Sequence, residues 1–132
     1  MNAFSAARQW AVRSTFAHVA FGFFAMSGWA AFANRNHGLS HALIAGLVQG
    51  TISGLLTLVL KKFLEWLNAR MSGPAALIVP PLITATSILV ILVTAHTLAH
   101  TPEIAATIAV PFTVSTTYAI VYNWSLLRRP RA

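Results

Sequence analysis

Residues 42–60 read ALIAGLVQGTISGLLTLVL, an apolar run without a charged side chain. It has roughly the 20 residues that a helix needs to cross a hydrocarbon core. Three further runs resemble it, 15–33, 75–95 and 104–122, and none contains Asp, Glu, Lys or Arg. Hydrocarbon cannot hydrogen-bond a peptide group, so each run is expected to satisfy its own backbone as a helix. The short connections 34–41 and 96–103 then make two antiparallel hairpins. The longer connection 61–74 joins them, and its Ser72-Gly73-Pro74 is a helix stop and restart. The expected fold is all-α, a single transmembrane domain over residues 1–132 built as a four-helix bundle.

Composition agrees with this reading. Of 132 residues 57% are hydrophobic and 8% charged, where soluble domains carry about 25% charged residues. The mean hydropathy of +0.70 points the same way. The chain has no cysteine, which excludes disulfides, thiolate metal sites and cysteine nucleophiles. The net charge of +7 does not read as nucleic-acid binding. The cations sit at helix ends and do not form a continuous patch with interleaved aromatics.

Arg8 and Arg13 precede the first run, Lys61, Lys62 and Arg70 lie between the second and third, and Arg128, Arg129 and Arg131 follow the fourth. Only Arg35 lies at the other end. The positive-inside rule makes the crowded end cytoplasmic, so both termini are expected in the cytoplasm of a cell whose inner membrane holds the protein. Trp10, Trp66 and Trp124 fall at the same level, as interfacial anchors. Arg8, Arg13 and Ala31-Phe32-Ala33 also outline a signal peptide, but the apolar run between them is long for one, which favours a retained span. A shift of 62 residues sets Val48, Thr51, Ile52, Ser53, Val59 and Leu64 against Val110, Thr113, Val114, Ser115, Val121 and Leu126. Two hairpins related in this way would form a parallel 2+2 repeat.

Gly46, Gly50 and Gly54 form a doubled small-xxx-small stripe, which lets a second helix approach closely. The stripe is expected to pack within the chain, with a homodimer seam or a substrate groove as the sharper alternatives. Gln49 lies on its edge, and Ser53, Thr113 or Thr117 are potential partners for its amide. In the fourth run Thr113 and Thr117 share a face. Pro111 frees a backbone carbonyl that such hydroxyls commonly satisfy. Pro80-Pro81 is expected to kink or restart the third helix. His18 lies inside the first span, on a face with Gly22, Ala25 and Trp29, and an intramembrane ionisable group is a functional candidate by default.

The histidines form two pairs of equal spacing, His37 with His41 and His96 with His100. On continuous helices each pair would share a face and chelate one ion, zinc or copper by ligand type. The bland alternative is an interfacial or pH-responsive role. Glu65 is expected to pair with Lys61 and Lys62 along its helix, and Glu103 to sit near the start of the fourth helix, where the dipole favours a carboxylate. No carboxylate pair, phosphate-cradling loop, Ser-His-Asp set or HExxH motif is present, so no enzyme is expected. No cofactor is expected beyond that metal.

The size, the four spans and the aromatic-basic ending from Tyr122-Asn123-Trp124 to Arg128-Arg129 are broadly similar to small bacterial proteins proposed to flip polyprenyl-phosphate-linked sugars. The first span lacks that family's Gly-x-x-Asn-Thr pattern, so no residue role carries over. Two readings of function result. One is a small transport or lipid-translocation protein, with His18, Gln49, Thr113 and Thr117 along a pathway and Lys61 and Lys62 attracting anionic headgroups. The other is an accessory or assembly subunit of a larger membrane complex, docked through an exposed glycine face. A metal-binding membrane protein on the outer face is the narrower third. Membrane lipid and either a second copy or another membrane protein are the expected partners.

Reporter tags fused to the two ends are expected to read the same compartment, the cytoplasm. Opposite compartments would overturn the topology.

Overall fold

A computed structural model describes residues 2–130, the side chains of Ala11 and Val12 excepted. Arg131, counted above among the cations, lies outside the described residues. The chain forms α1 (Ala3–Ala33), α2 (Leu39–Asn68), α3 (Gly73–Leu98) and α4 (Ile104–Leu127), with one 3-10 turn, Arg35–His37, between the first two. All four helices are long and apolar enough to cross a membrane. They hold 31, 30, 26 and 24 residues, or roughly 36–46 Å at 1.5 Å per residue. Their ends therefore project beyond a core of about 30 Å.

The helices overrun the apolar stretches chiefly at the end that carries the cations. The connection expected over 61–74 shrinks to 69–72, because α2 continues through Lys61, Lys62 and Glu65 to Asn68. Those residues are good helix formers, and no glycine or proline interrupts them. Gly73, at φ 60°, and a proline in the first turn then open α3.

Pro80 and Pro81 do not restart α3, the second of the two outcomes expected of them; the helix runs on through both. Neither has an N–H, so the carbonyls of Ala76 and Leu77 one turn earlier lose their helical donors. Asn123 of α4 supplies both, donating from Nδ2 to Ala76 O at 2.9 Å and Leu77 O at 3.2 Å. Asn68 of α2 donates to Asn123 Oδ1 at 2.9 Å and to Ala76 O at 3.4 Å. Three helices are thus tied together at the point where α3 would otherwise expose two bare carbonyls.

α2 touches each of the other helices, while α1 and α3 do not meet among the described residues. The apolar core lies between α2, α3 and α4 around Leu60, Leu64, Ile88, Leu92, Ile108 and Ala119. α1 is held by the glycine stripe instead. A Cβ on Gly46 would stand 3.0 Å from Ser27 O, and one on Gly50 would stand 2.9 Å from Phe23 O and collide with the Ser27 hydroxyl. Gly22 of α1 returns the fit, with Thr57 Oγ1 3.1 Å from where its Cβ would lie. The stripe is consequently an internal seam. The homodimer or partner face imagined for it is covered by α1.

Each hairpin's first helix bonds the second helix of the other hairpin near the loops. Asn34 and His96, 62 positions apart, close the first helices of the two hairpins. Each reaches across to the second helix of the other hairpin: Asn34 Nδ2 donates to Thr107 Oγ1 at 2.8 Å and His96 Nε2 meets Gln49 Oε1 at 2.9 Å.

Gly50→Leu is expected to destabilise the fold by about 1–3 kcal/mol or more through overpacking against α1 backbone. Gly28→Ala, on the same helix pair but with open space at its Cβ, should be neutral or gain up to about 1 kcal/mol. Unfolding in mixed micelles measures both, and equal behaviour would refute the packing described.

Candidate functional site

The bundle is polar inside and apolar outside. Asn34, Gln49, His96, Thr107 and Asn123 are fully buried, whereas Phe16, Phe21, Phe24, Leu82 and Ile120 are more than half exposed. In water this arrangement would be unstable, and in lipid it is the favourable one. The chain is a multi-pass membrane protein.

The buried polar groups near the hairpin loops form two closed sets. Asn34 donates to Ala30 O and Thr107 Oγ1, both at 2.8 Å, and its Oδ1 accepts from the Glu103 N–H at 3.0 Å. Trp29 Nε1 donates to Ala106 O at 3.0 Å, so α1 is pinned to α4 at this end. In the second set Gln49 Oε1 only accepts, hence His96 Nε2 carries the proton and Nδ1 accepts from the Thr101 hydroxyl at 2.8 Å. Gln49 Nε2 then donates to Ser53 Oγ at 3.0 Å.

The two histidine pairs do not act as chelates. Gly38, at φ 94°, separates the turn bearing His37 from the helix bearing His41, and His100, at φ 54°, lies past the end of α3. His37 Nε2 instead meets Glu103 Oε1 at 2.9 Å, and His96 is buried against Gln49. Among the described residues no three His, Cys, Asp or Glu side chains come together as a metal site. Interruption of the helix at Gly38 and at the turn through Ala99 and His100 is the physical reason.

Thr113 and Thr117 are exposed on the outer face of α4, and the Thr113 hydroxyl returns to Ala109 O at 2.7 Å. They face away from the bundle and from Gln49, so neither lines an internal pathway. Gln49 itself is fully buried with both ends of its amide bonded. A polar cavity at Gln49, the mark of a central route, is therefore replaced by a closed contact.

The open space lies to one side. A cleft of about 540 Å³ separates α1 from α2 and α4 in the half of the bundle nearest the cations. His18, Thr15 and Phe21 of α1 form one wall, Ser53, Thr57, Leu60 and Lys61 of α2 the second, and Ser115 and Tyr118 of α4 the third. Its α2 wall runs from Lys61 at the mouth to Ser53 near the middle of the helix, about 12 Å along the axis. His18 Nδ1 donates to Ser14 O at 2.6 Å, and the residue lines the cleft. Lys62 meets Glu65 at 3.7 Å, and Tyr122 donates to the same carboxylate at 2.6 Å. Lys61, whose pairing with Glu65 was also expected, lines the cleft. At this end Arg70 lies over Trp66 at 3.9 Å and Arg128 over Trp124 at 4.0 Å, which sets cation and ring together at the membrane surface.

Of the residues singled out from sequence, His18 and Lys61 meet in one cleft and Gln49 underlies its floor. The placing of Thr57 and Ser115 in the cleft, and the cross-helix roles of Asn34, Asn68 and Asn123, were not read from the sequence. The asparagines had a legible signal: two adjacent helical prolines leave two carbonyls that some donor has to satisfy. Comparison with known proteins finds no matching family model, no similar curated protein and no similar solved structure.

His96→Leu leaves the Gln49 oxygen without a donor inside the bundle, and Gln49→Leu leaves the imidazole unpaired. Each single variant is expected to lose more stability than its additive share of the double variant. The coupling should be about 1 kcal/mol, measured by a double-mutant cycle of unfolding in mixed micelles.

Proposed function

We propose that this protein translocates lipid, with the lateral cleft between α1, α2 and α4 as the path of the headgroup. The single observation that carries this reading is a largely apolar groove beside lipid-facing residues, with a few polar groups set along it from Lys61 to the hydroxyls of Ser53, Thr57 and Ser115 near the middle of the helices. A headgroup entering hydrocarbon loses its hydrogen bonds to water, at several kcal/mol for a charged group. Ser53, Ser115 and the His18 ring offer partial replacement, while the acyl chains stay in the bilayer beside Phe21 and Val114. A solute pore through the bundle centre is disfavoured by the closed Gln49–His96 contact, and an assembly subunit docked by its glycines is disfavoured by the cover α1 gives them.

By the positive-inside rule the end bearing Lys61, Lys62, Arg70 and Arg128 faces the cytoplasm, in the inner membrane, and the cleft opens to the cytoplasmic leaflet. Lys61 sits at the mouth as the attractant for anionic headgroups, and Lys62, although paired with Glu65, adds to the local positive field.

Purified protein in vesicles carrying a fluorescent phospholipid should speed the exchange of label between leaflets, read by a membrane-impermeant quencher. Ser115→Phe fills the cleft and is expected to return the rate to that of protein-free vesicles. Lys61→Glu should slow an anionic phospholipid more than a zwitterionic one. Rates equal to empty vesicles for the unmodified protein would refute the reading.

A further inference from the structure

Inside the cleft one hydroxyl is distinguished by the direction of its bonds. Thr57 donates to the Ser53 carbonyl at 2.8 Å, so its proton is used within α2. Ser53 Oγ is in the opposite position. It accepts from Gln49 Nε2 at 3.0 Å, and its own O–H finds no acceptor among the described residues. The residue is 9% exposed and that exposure is to the cleft.

The direction is coupled to His96 and Thr101 at the hairpin end of the bundle. The amide oxygen of Gln49 faces His96 Nε2, which donates to it, and His96 in turn is fixed by the Thr101 hydroxyl at Nδ1. Were Gln49 turned over, its oxygen would face Ser53 and capture that proton. That turn would require the other imidazole tautomer, with its proton on Nδ1 towards the Thr101 hydroxyl, so the amide and the imidazole switch together. With Gln49 placed as it is, the row Thr101, His96, Gln49 and Ser53 has one polarity, and it ends at the Ser53 hydroxyl, which lines the cleft.

We propose that Ser53 is the hydrogen-bond donor to the phosphate of a phospholipid headgroup at mid-bilayer, and that His96 is a positioning residue acting through Gln49. This inference rests on the lipid-translocation reading above. The sign of the ligand's charge follows from the lining. Lys61 is the charged residue of the cleft, and neither acid serves it: Glu65 is held by Tyr122 and Lys62, and Glu103 pairs with His37 at the opposite end. An ammonium headgroup would find no carboxylate there. A phosphodiester finds Lys61 at the mouth and a prepared O–H at the floor. Lys61 then governs capture and Ser53 governs crossing, because only the headgroup that has left the mouth reaches the floor.

The test uses the full chain in phosphatidylcholine vesicles with fluorescent phosphatidylglycerol as the probe, with rate and half-saturating lipid measured separately. Ser53→Ala should lower the maximal crossing rate about tenfold, the loss of one hydrogen bond to a charged group, with little change in half-saturating lipid. Ser53→Thr, which keeps the hydroxyl, should restore most of the rate. His96→Leu should lower the maximal rate as Ser53→Ala does, and His96→Gln, whose amide can still donate to Gln49, should recover it. Gel filtration and thermal unfolding in detergent identify any variant that has simply failed to fold, and the Ser53 pair stands without the His96 pair. An active unmodified protein with Ser53→Ala equally fast overturns the role of Ser53 alone. Equal loss in His96→Leu and His96→Gln, both folded, overturns the positioning role. An inactive unmodified protein overturns the translocation reading and this inference with it.

Discussion

Hydrocarbon offers no partner to a carbonyl, an amide or an imidazole, so groups of that kind between the two membrane faces have to be satisfied within the chain. The tertiary ties of this protein follow from that constraint. Asn123 and Asn68 answer the two carbonyls that Pro80 and Pro81 release. Asn34 joins α1 to α4, and His96 joins α3 to α2. Apolar burial does not distinguish the inside from the outside here, because leucines and phenylalanines face lipid as readily as they face each other. Polar pairing and close backbone approach do.

The two hairpins are held differently, and the cleft lies beside the first. α3 is held at both ends, by His96 at the hairpin loops and by the asparagine pair at the other. α1 is pinned to α4 at the hairpin end by Trp29 and Asn34 and seated on α2 by glycines. The residue 62 positions before Asn123 is Lys61. An ammonium cannot be buried against carbonyls in an apolar core as cheaply as an amide, so the place where Asn123 draws α3 inward is, in the first hairpin, a gap with a cation at its mouth. Ser53 and Ser115 correspond in the same way, and both line that gap.

The histidines and threonines show where spacing misled. Positions i and i+4 share a face only on an unbroken helix, and Gly38 and the turn at His100 interrupt both pairs. Thr113 and Thr117 do share a face, but on α4 that face points to lipid, and a hydroxyl that bonds the preceding turn needs nothing from the bundle. His18, Gln49 and Lys61 were legible as intramembrane or interfacial polar groups. That His18 and Lys61 border one cleft while Gln49 stands behind it was not, since rotation of each helix about its axis depends on neighbours that a single run does not specify.

By itself the sequence determined the number of the helices, their antiparallel order and the separation of cations to one end. These depend on hydropathy and charge summed along the chain, quantities that do not require knowing what lies beside a residue. Tertiary structure decided which glycines meet which helix, which carbonyls the asparagines complete, which way the Gln49 amide points and where the bundle stays open. Each of those is a contact between residues far apart in sequence, directed by hydrogen-bond donors and acceptors whose partners exist only once the helices are packed.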